Sequence, residues 1–295
     1  MSTPTALLKH DFHAYSAAAP QTPQVAPAPI VKWVGGKGRL LSQLRPLLPP
    51  AVDRMRHVEP FAGGAAMFFD RRPSRALLCD VNQDLIATYL AVRDELPSVI
   101  TELQRLARDH SRERYYDVRS RYNTAELTRS QRAAAFIYLN KTCFNGLHRV
   151  NRRGHFNVPV GRYEKPKILN ASLLQAASAQ LSEADLRCTS FEALVALARP
   201  GDFVYLDPPY EPVSRTANFT SYAQDGFSQE DQQRLRDVYR ELDRRGCKLM
   251  LSNSDVPFVR ELYRDFRIDL VAAPRAINCN TSRRGKVSEV VVRNY

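Results

Sequence analysis

The distribution of hydrophobic residues along the chain predicts short strands that alternate with longer helices. Apolar runs typical of buried strands occur at His57–Phe61, Arg75–Cys79, Phe203–Leu206, Lys248–Ser252 and Val287–Arg293. Helical or buried segments are predicted at Asp84–Arg93, Ala133–Leu139 and Ser228–Arg245, the last of which opens with a Ser-x-x-Asp capping box. Strands that alternate with helices predict an α/β fold built on a layered sheet.

Two stretches interrupt this alternation. Residues 1–30 contain five prolines and seven alanines, a composition that predicts a flexible tail and lacks the features of a secretory signal. Residues 141–167 are polar, basic and rich in turn-forming residues, and they lie between two sets of predicted strands. We therefore divide the chain into the tail, a sheet domain formed by residues 31–85 and 171–295, and an inserted subdomain formed by residues 86–170.

The composition narrows the possible classes of protein. The chain has 295 residues, 44% of them hydrophobic, and no apolar run approaches the roughly 20 residues that cross a bilayer. The five cysteines are widely spaced without a Cys-x-x-Cys pair, which argues against a disulfide framework or a structural zinc site and favours the reducing cytoplasm. Since the histidines show no metal-ligand spacing either, no metal is expected.

The charge distribution gives the first indication of a binding partner. The formal net charge is +12, made up of +4 in residues 1–85, +8 in residues 86–170 and zero in residues 171–295. Lys141–Lys167 alone carries seven basic residues against one acidic residue. Such a segregated excess indicates a polyanion, most readily nucleic acid, although a solvated surface could have the same composition. Arg152 and Arg153 are candidates for phosphate contacts, and Arg149 is a candidate for a bidentate contact to guanine.

The most informative motif follows the predicted strand Phe203–Leu206 and reads Asp207-Pro208-Pro209-Tyr210. Ligands of open α/β sheets bind at the carboxyl ends of the strands, where this motif would lie. The Asp207 carboxylate and the Pro208 carbonyl could accept hydrogen bonds from an exocyclic amino group, and Tyr210 could stack on a base. The alternative is that the prolines only end the strand and that Tyr210 packs on the core.

Two further motifs could contact a cofactor. Val58–Gly64 places a glycine turn after a predicted strand, and Asp80 ends the next strand, where its carboxylate could accept hydrogen bonds from ribose hydroxyls. Val31–Gly38 contains the only tryptophan, Trp33, beside glycines and Lys37, whose charge would suit the carboxylate of a methionine moiety. A buried structural anchor is the alternative for the tryptophan.

Taken in order along the chain, these motifs resemble the Dam-type family (class alpha) of S-adenosylmethionine-dependent DNA adenine N6-methyltransferases. The resemblance extends from about Ile30 to Tyr295. It includes Phe136–Tyr163, which is similar to the family's target-recognition segment, and also Thr216–Tyr222, Leu251–Asn253 and Asn280–Tyr295. It implies a Rossmann-like methyltransferase sheet with helices on both faces, in which residues 31–85 and 171–295 bind the cofactor and catalyse. It also implies that residues 86–170 form an inserted, mostly helical target-recognition subdomain.

The resemblance implies roles for individual residues. The residues implied to contact the cofactor are Trp33, Lys37, Phe61, Gly63, Asp80 and Asp207. The residues implied in catalysis are Asp207, Pro208 and Tyr210. Contacts to DNA fall on Lys32, Phe144, Asn145, Leu147, Arg149 and Pro159, together with Arg152 and Arg153. The match at Leu147, Arg149 and Pro159 favours GATC as the recognition site.

Two departures from the family pattern are visible. The glycine motif reads Phe61-Ala62-Gly63-Gly64-Ala65, whereas the family usually has F-x-G-x-G, so the turn is expected to differ slightly. Lys141-Thr142-Cys143-Phe144 stands where the family has a more aromatic stretch, which weakens the assignment of a DNA recognition site.

The sequence thus predicts an enzyme that transfers a methyl group from S-adenosylmethionine to N6 of a flipped-out adenine in double-stranded DNA. We expect a monomer that binds neither a membrane nor a metal. We expect it in the cytoplasm, at the nucleoid, where it would serve mismatch repair or restriction–modification. The alternatives are methylation of cytosine N4 or of an RNA adenine, and an inert DNA-binding regulator on the same scaffold. The acid at position 207 favours adenine, because cytosine N4 enzymes more often resemble Ser-Pro-Pro-Tyr.

Overall fold

A central sheet organises the computed structural model, which describes residues 25–213, 227–273 and 287–295. Within these residues the sheet has seven strands in the order β3-β2-β1-β4-β5-β7-β6. The strands are β1 (His57–Glu59), β2 (Ala76–Asp80), β3 (Ala184–Cys188), β4 (Phe203–Leu206), β5 (Lys248–Ser254), β6 (Arg267–Ala273) and β7 (Val287–Arg293). Neighbouring strands from β3 to β5 are parallel, and β7 runs antiparallel to both β5 and β6.

Helices cover both faces of this sheet. They are α1 (Leu41–Leu44), α2 (Ala66–Arg71), α3 (Gln83–Asp94), α4 (Leu96–Arg108), α5 (Arg112–Thr124), α6 (Arg129–Thr142), α7 (Ala171–Leu181), α8 (Leu194–Leu197), α9 (Gln229–Arg244) and α10 (Pro257–Leu262). On one face Val204 and Leu249 pack in one buried cluster with Leu235 of α9. On the other face Leu78 packs with α2, α3 and α7, and Phe203 belongs to a cluster with Leu44 of α1. The predicted Rossmann-like sheet with helices on both faces is confirmed.

The five strands predicted from apolar runs are all present. Phe203–Leu206 and Val287–Arg293 have the predicted bounds, and the other three differ by one or two residues at an end. The capping box at the start of α9 is also confirmed. Ser228 Oγ accepts a hydrogen bond from the Asp231 N–H, and the Asp231 carboxylate accepts one from the Ser228 N–H. The sequence analysis missed the two outermost strands, β3 and β6. It also missed the helices α4, α5 and α7 and the short helices α1, α2, α8 and α10.

Five helices and a basic hairpin lie between β2 and β3. Here the basic hairpin means residues 143–160, whose two arms are joined by bridges from Cys143 to Val160 and from Val150 to Phe156. Helix α5 holds the second arm, because Tyr115 Oη donates to the Val158 carbonyl over 2.8 Å and the Asn123 side chain pairs with the backbone of Phe156. The predicted boundary at residue 86 falls inside α3, and the division into domains stays a prediction.

The predicted tail lies mostly outside the described residues, which begin at Val25. Ile30, the last residue of that tail, is buried in the core. None of the helices in the described part of the chain is long and apolar enough to span a membrane. The cysteines found there, Cys79, Cys143, Cys188 and Cys247, are all free thiols.

Candidate active site and recognition surface

The candidate active site lies where the carboxyl ends of β1, β2 and β4 meet. Glu59 is the last residue of β1, Asp80 ends β2, and Asp207 follows β4 directly. These strands are parallel neighbours, and the chain reverses its strand order between β1 and β4. Such a reversal opens a crevice above the sheet, which is the usual ligand site of this architecture.

Asp207 forms a partly buried ion pair with Lys37. Asp207 Oδ1 lies 2.7 Å from Lys37 Nζ, and the lysine side chain is only 6% exposed. Lys37 Nζ also donates a hydrogen bond of 2.6 Å to the Gly35 carbonyl, so its ammonium is held from two directions. Burial raises the pKa of Asp207 to about 6, and the nearby Lys37 charge opposes that rise. The structure thus places a cationic nitrogen against Asp207 Oδ1, which has no hydrogen-bond partner of its own among the described residues.

Tyr210 is fixed beside this ion pair. Its hydroxyl donates to Glu289 Oε2 over 2.7 Å, and Lys37 Nζ lies 4.7 Å from the centre of its ring. Pro208 is buried, and the carbonyl of Pro209 accepts a hydrogen bond from Gln232 Nε2. The tyrosine ring is therefore held by two neighbours that the sequence analysis did not connect with it.

The glycine turn and Asp80 form a second part of the site. Asp80 accepts hydrogen bonds of 2.9 Å from the backbone N–H groups of Gly63 and Asn82. Burial raises the pKa of Asp80, while these backbone N–H groups act in the opposite direction. Gly63 has φ +46°, and a Cβ there would lie 2.6 Å from Cδ1 of Trp33, so only glycine fits under the indole. The two predicted cofactor motifs are thus in direct contact.

An aromatic cluster lies next to the turn. Phe61 stacks on Phe191, with ring centres 5.5 Å apart, and Phe227 meets Phe61 edge-on at 5.8 Å. Phe191 follows β3, a strand that was not predicted, so no sequence signal had pointed to it.

A buried histidine orients Glu59, another residue that the sequence analysis left out. Arg71 Nη1 lies 2.8 Å from His57 Nδ1, and His57 Nε2 lies 2.6 Å from Glu59 Oε1. Because arginine can only donate, His57 accepts at Nδ1 and donates from Nε2 to the Glu59 carboxylate. Burial lowers the pKa of His57, which keeps its ring neutral. The Glu-Pro-Phe sequence of the glycine motif was the available signal for Glu59.

Together these residues form what we call the acidic cleft: Glu59, Asp80, Asp207 and Glu289, with Lys37 as their basic partner. Glu59 and Glu289 raise the pKa of Asp207 further through like-charge repulsion. A carboxylate cluster with a single ammonium favours a ligand that carries positive charge. Among the described residues, no group of three or more His, Cys, Asp or Glu side chains could hold a metal ion.

The residues predicted to contact DNA lie on or beside the basic hairpin. Arg152 and Arg153 form its exposed tip, where the Asn151 side chain accepts hydrogen bonds from the backbone of Arg153 and His155. Exposed or half-buried side chains of the two arms are Phe144, Asn145, Leu147, Arg149 and Pro159. The arms meet where the Phe144 N–H donates to the Pro159 carbonyl over 2.9 Å.

Arg149 and Lys32 form hydrogen bonds within the protein. Arg149 Nε donates to Asn157 Oδ1 over 2.7 Å, across the hairpin. Lys32 lies at the base of the hairpin, and its Nζ donates to Tyr163 Oη over 3.1 Å. The structure therefore brings together residues that are more than 100 positions apart in the chain. The similar segment Thr216–Tyr222 and residues 280–286 of the terminal similarity lie outside the described residues.

Comparison with known proteins identifies close relatives over most of the chain. Residues 33–277 match the family described as D12 class N6 adenine-specific DNA methyltransferase. The chain is 42% identical to the type II methyltransferase M1.LlaDCHI of Lactococcus lactis subsp. cremoris, over 90% of this chain and 95% of the relative. It is 40% identical to the type II methyltransferase M.MjaIII of Methanocaldococcus jannaschii, over 90% of this chain and 99% of the relative. It is also 37% identical to the DNA adenine methylase of Escherichia coli, over 88% of this chain and 93% of the relative.

Proposed function

The chain belongs to the D12 class of N6 adenine-specific DNA methyltransferases, and we propose that it uses S-adenosylmethionine to methylate a flipped-out adenine in duplex DNA. The family membership and the adenine-specific DNA methyltransferase activity agree with the sequence prediction. The choice of methyl donor, the duplex form of the DNA and the roles of single residues are our proposal. A monomer suffices for it, because this one chain holds every residue that we assign.

The observation that carries this proposal is the ion pair between Asp207 and Lys37. The ammonium of Lys37 shows that a nitrogen with hydrogens to donate fits against Asp207 Oδ1 at 2.7 Å. The exocyclic amino group of adenine presents the same kind of donor. We assign its two N–H hydrogens to the Asp207 carboxylate and the Pro208 carbonyl, after displacement of Lys37.

Those two acceptors would activate the amino group. The N6 lone pair is delocalised into the adenine ring, so the amino group is a poor nucleophile. Hydrogen bonds from both N–H groups to Asp207 and Pro208 would localise the lone pair in the direction of the methyl group. The rate then depends on positioning and fixed electrostatics. Tyr210, whose hydroxyl is held by Glu289, would stack on the base and keep its amino group in line.

The charge of the acidic cleft supports S-adenosylmethionine as the methyl donor. Bound S-adenosylmethionine would supply an electrophilic methyl group on a positively charged sulfur, next to an ammonium group. Glu59, oriented by His57, would hold the ammonium group, and Asp80 would accept hydrogen bonds from the ribose hydroxyls. The indole of Trp33 over Gly63 and the rings of Phe61 and Phe191 would enclose the flat parts of the ligand.

The basic hairpin is assigned to the duplex. Adenine N6 is inaccessible inside the base stack, so the base must be flipped out at a cost of a few kcal/mol. Phe144 is 47% exposed and is followed by Asn145 with the left-handed φ of +56°, which supports a role for this sharp turn as a wedge between bases. Arg149, Leu147 and Pro159 would read bases, with GATC as the proposed site, and Lys32 would read an outer base pair. Arg152 and Arg153 would contact phosphates.

One experiment tests the reaction and its target together. The chain is expressed in cells without other adenine methylation, and their DNA is digested to nucleosides and also sequenced by a single-molecule method that reports modified bases. We expect N6-methyladenine within one short motif. N4-methylcytosine in place of N6-methyladenine would refute the proposal. A motif other than GATC would refute only the proposed site.

A further inference from the structure

A single buried side chain joins two segments that the proposed function uses for different tasks. Asn140 of α6 is 3% exposed. Its Oδ1 accepts a hydrogen bond of 2.8 Å from the Lys32 N–H. Its Nδ2 donates to the Lys32 carbonyl over 2.8 Å and to the Gly146 carbonyl over 3.1 Å. Asn140 therefore connects the Lys32–Trp33 segment with the turn Phe144–Leu147 of the basic hairpin.

The chemistry of this position requires an asparagine. The carboxamide uses its acceptor and both of its N–H donors on three backbone groups at once. An aspartate has no N–H groups to donate, and a leucine offers neither donor nor acceptor. Losing these contacts would leave buried backbone groups unpaired, which is costly wherever water cannot replace the partner.

The contact between Lys32 and Gly146 shows how closely the two segments fit. Gly146 has φ +66°, and a Cβ on it would lie only 2.7 Å from the Lys32 Cβ. The aliphatic part of Lys32 thus lies against bare backbone of the turn. At its other end, Lys32 Nζ donates to Tyr163 Oη. The lysine is held by its backbone through Asn140, along its length by Gly146 and at its tip by Tyr163.

We propose that Asn140 is a positioning residue for sequence recognition, because it fixes Lys32 relative to the Phe144–Leu147 turn. This inference rests on the proposed function, in which Lys32 reads an outer base pair and the turn contacts the target region. Asn140 contacts neither Asp207 nor any other member of the acidic cleft through the hydrogen bonds of the described residues. Its removal should therefore change which sites are methylated more than how fast the best site is methylated.

The test compares Asn140→Ser with the unaltered enzyme on a set of duplexes. The set contains the site that sequencing assigns to the unaltered enzyme and every single base-pair substitution of it. We expect discrimination at the base pair read by Lys32 to fall about tenfold, within the range of a lost base contact. We expect kcat on the unaltered site to fall by less than threefold and S-adenosylmethionine affinity to stay within the same factor.

Thr88→Val is the matched control. Thr88 lies in α3, is buried, and donates its hydroxyl within its own helix, to the Asp84 carbonyl. This variant should leave the discrimination profile unchanged. Lys32→Ala is the reference for complete loss of the base contact. If Lys32→Ala changes discrimination and Asn140→Ser does not, the inference about Asn140 is wrong while the role of Lys32 stands.

If Lys32→Ala has no effect on discrimination, the assignment of Lys32 to a base fails and the inference fails with it. Thermal unfolding and S-adenosylmethionine binding establish that Asn140→Ser is folded. Should it not fold, Gly146→Ala disturbs the same junction from the opposite side, because its Cβ would press on Lys32. That variant should show the same loss of discrimination, and an unchanged profile would again overturn the inference.

Discussion

The acidic cleft and the basic hairpin differ in charge, in burial and in what holds their side chains. In the cleft, side chains hold one another: Lys37 pairs with Asp207, Tyr210 with Glu289, and His57 with Glu59. In the hairpin, side chains from neighbouring helices hold the backbone, and Phe144, Arg152 and Arg153 are exposed. Tyr115, Asn123 and Asn140 are the helix residues that do so.

This difference follows from the tasks that we assign to the two regions. A reacting amino group needs fixed charges in a site with little water, where each electrostatic contact is strong. A DNA-reading surface needs exposed side chains on a backbone that keeps its register, since phosphate contacts position the protein and base contacts specify the sequence. Substitutions in the cleft should therefore affect the rate, and substitutions in the hairpin should affect the affinity and the choice of site.

The largest effect is expected from Asp207→Asn. The amide keeps the shape of the side chain but loses the negative charge, so we expect kcat to fall by about a thousandfold or more, similar to the loss of a main electrostatic contact. DNA affinity, measured with a fluorescent duplex, should stay within a few-fold.

Asp202→Asn is the control for this comparison. Asp202 is buried at the opposite end of the same strand, where it pairs with Arg56. That variant should lower the thermal unfolding temperature and leave the kcat of the folded enzyme unchanged. Equal losses of kcat in both variants would mean that Asp207 acts through stability and not through chemistry.

The next largest effect is expected from Arg149→Ala in the basic hairpin. A bidentate arginine–guanine contact contributes about 1–3 kcal/mol of discrimination, so preference at one base pair should fall roughly 5- to 150-fold. Methylation rates on substituted duplexes measure this, with kcat at saturating DNA changed much less. A uniform loss on all duplexes would show that Arg149 contacts the phosphate backbone.

A smaller effect is expected when the hairpin tip loses its charge. The double variant Arg152→Gln, Arg153→Gln should reduce the slope of log affinity against log salt concentration by up to about two, one for each phosphate contact. Discrimination between duplexes should not change. Neutralising Arg244 and Arg264, two exposed arginines on the charge-balanced part of the chain, removes the same charge and should leave the slope unaltered.

The smallest effect concerns pH. Asp207 must be ionised to accept its hydrogen bond from the amino group, and its pKa is raised to about 6, so kcat/KM should fall as the pH is lowered through about 6. Bound S-adenosylmethionine is cationic and favours the ionised form of Asp207. The acid limb of the pH profile, where the rate falls as the pH is lowered, should therefore lie at lower pH for kcat than for kcat/KM. Lys37→Gln removes the charge that opposes the rise, so the limb of kcat/KM should move to higher pH. An unshifted limb would mean that another group controls it.

The fold was predictable where strands are buried on both faces. The five predicted strands occupy the interior of the sheet, where a continuous apolar run is required. The two missed strands, β3 and β6, are its edges. In β3 buried and exposed residues alternate, and in β6 Leu270 is 59% exposed, so neither strand shows an uninterrupted run. Edge strands can be polar because one side faces solvent.

One of the missed helices, α5, has a similar explanation. Helix α5 carries charged or polar residues at most positions and buries Tyr115, Val118 and Tyr122 along one stripe. Two of these three residues are tyrosines, whose hydroxyl groups reach polar partners, the Val158 carbonyl and the Asp84 carboxylate. A pattern search for aliphatic residues does not detect such a stripe, because the burial is created by partners elsewhere in the chain.

The sequence by itself determined the types of chemical group and their order. A strand that delivers Asp207-Pro-Pro-Tyr210, a glycine turn and a basic segment all follow from local propensity and spacing. Only the tertiary structure decided which groups meet. Lys37 reaches Asp207, Glu289 reaches Tyr210 and Asn140 reaches Lys32 across 170, 79 and 108 positions. Strand pairing and helix packing set these distances, and a local sequence pattern carries no information about groups so far apart.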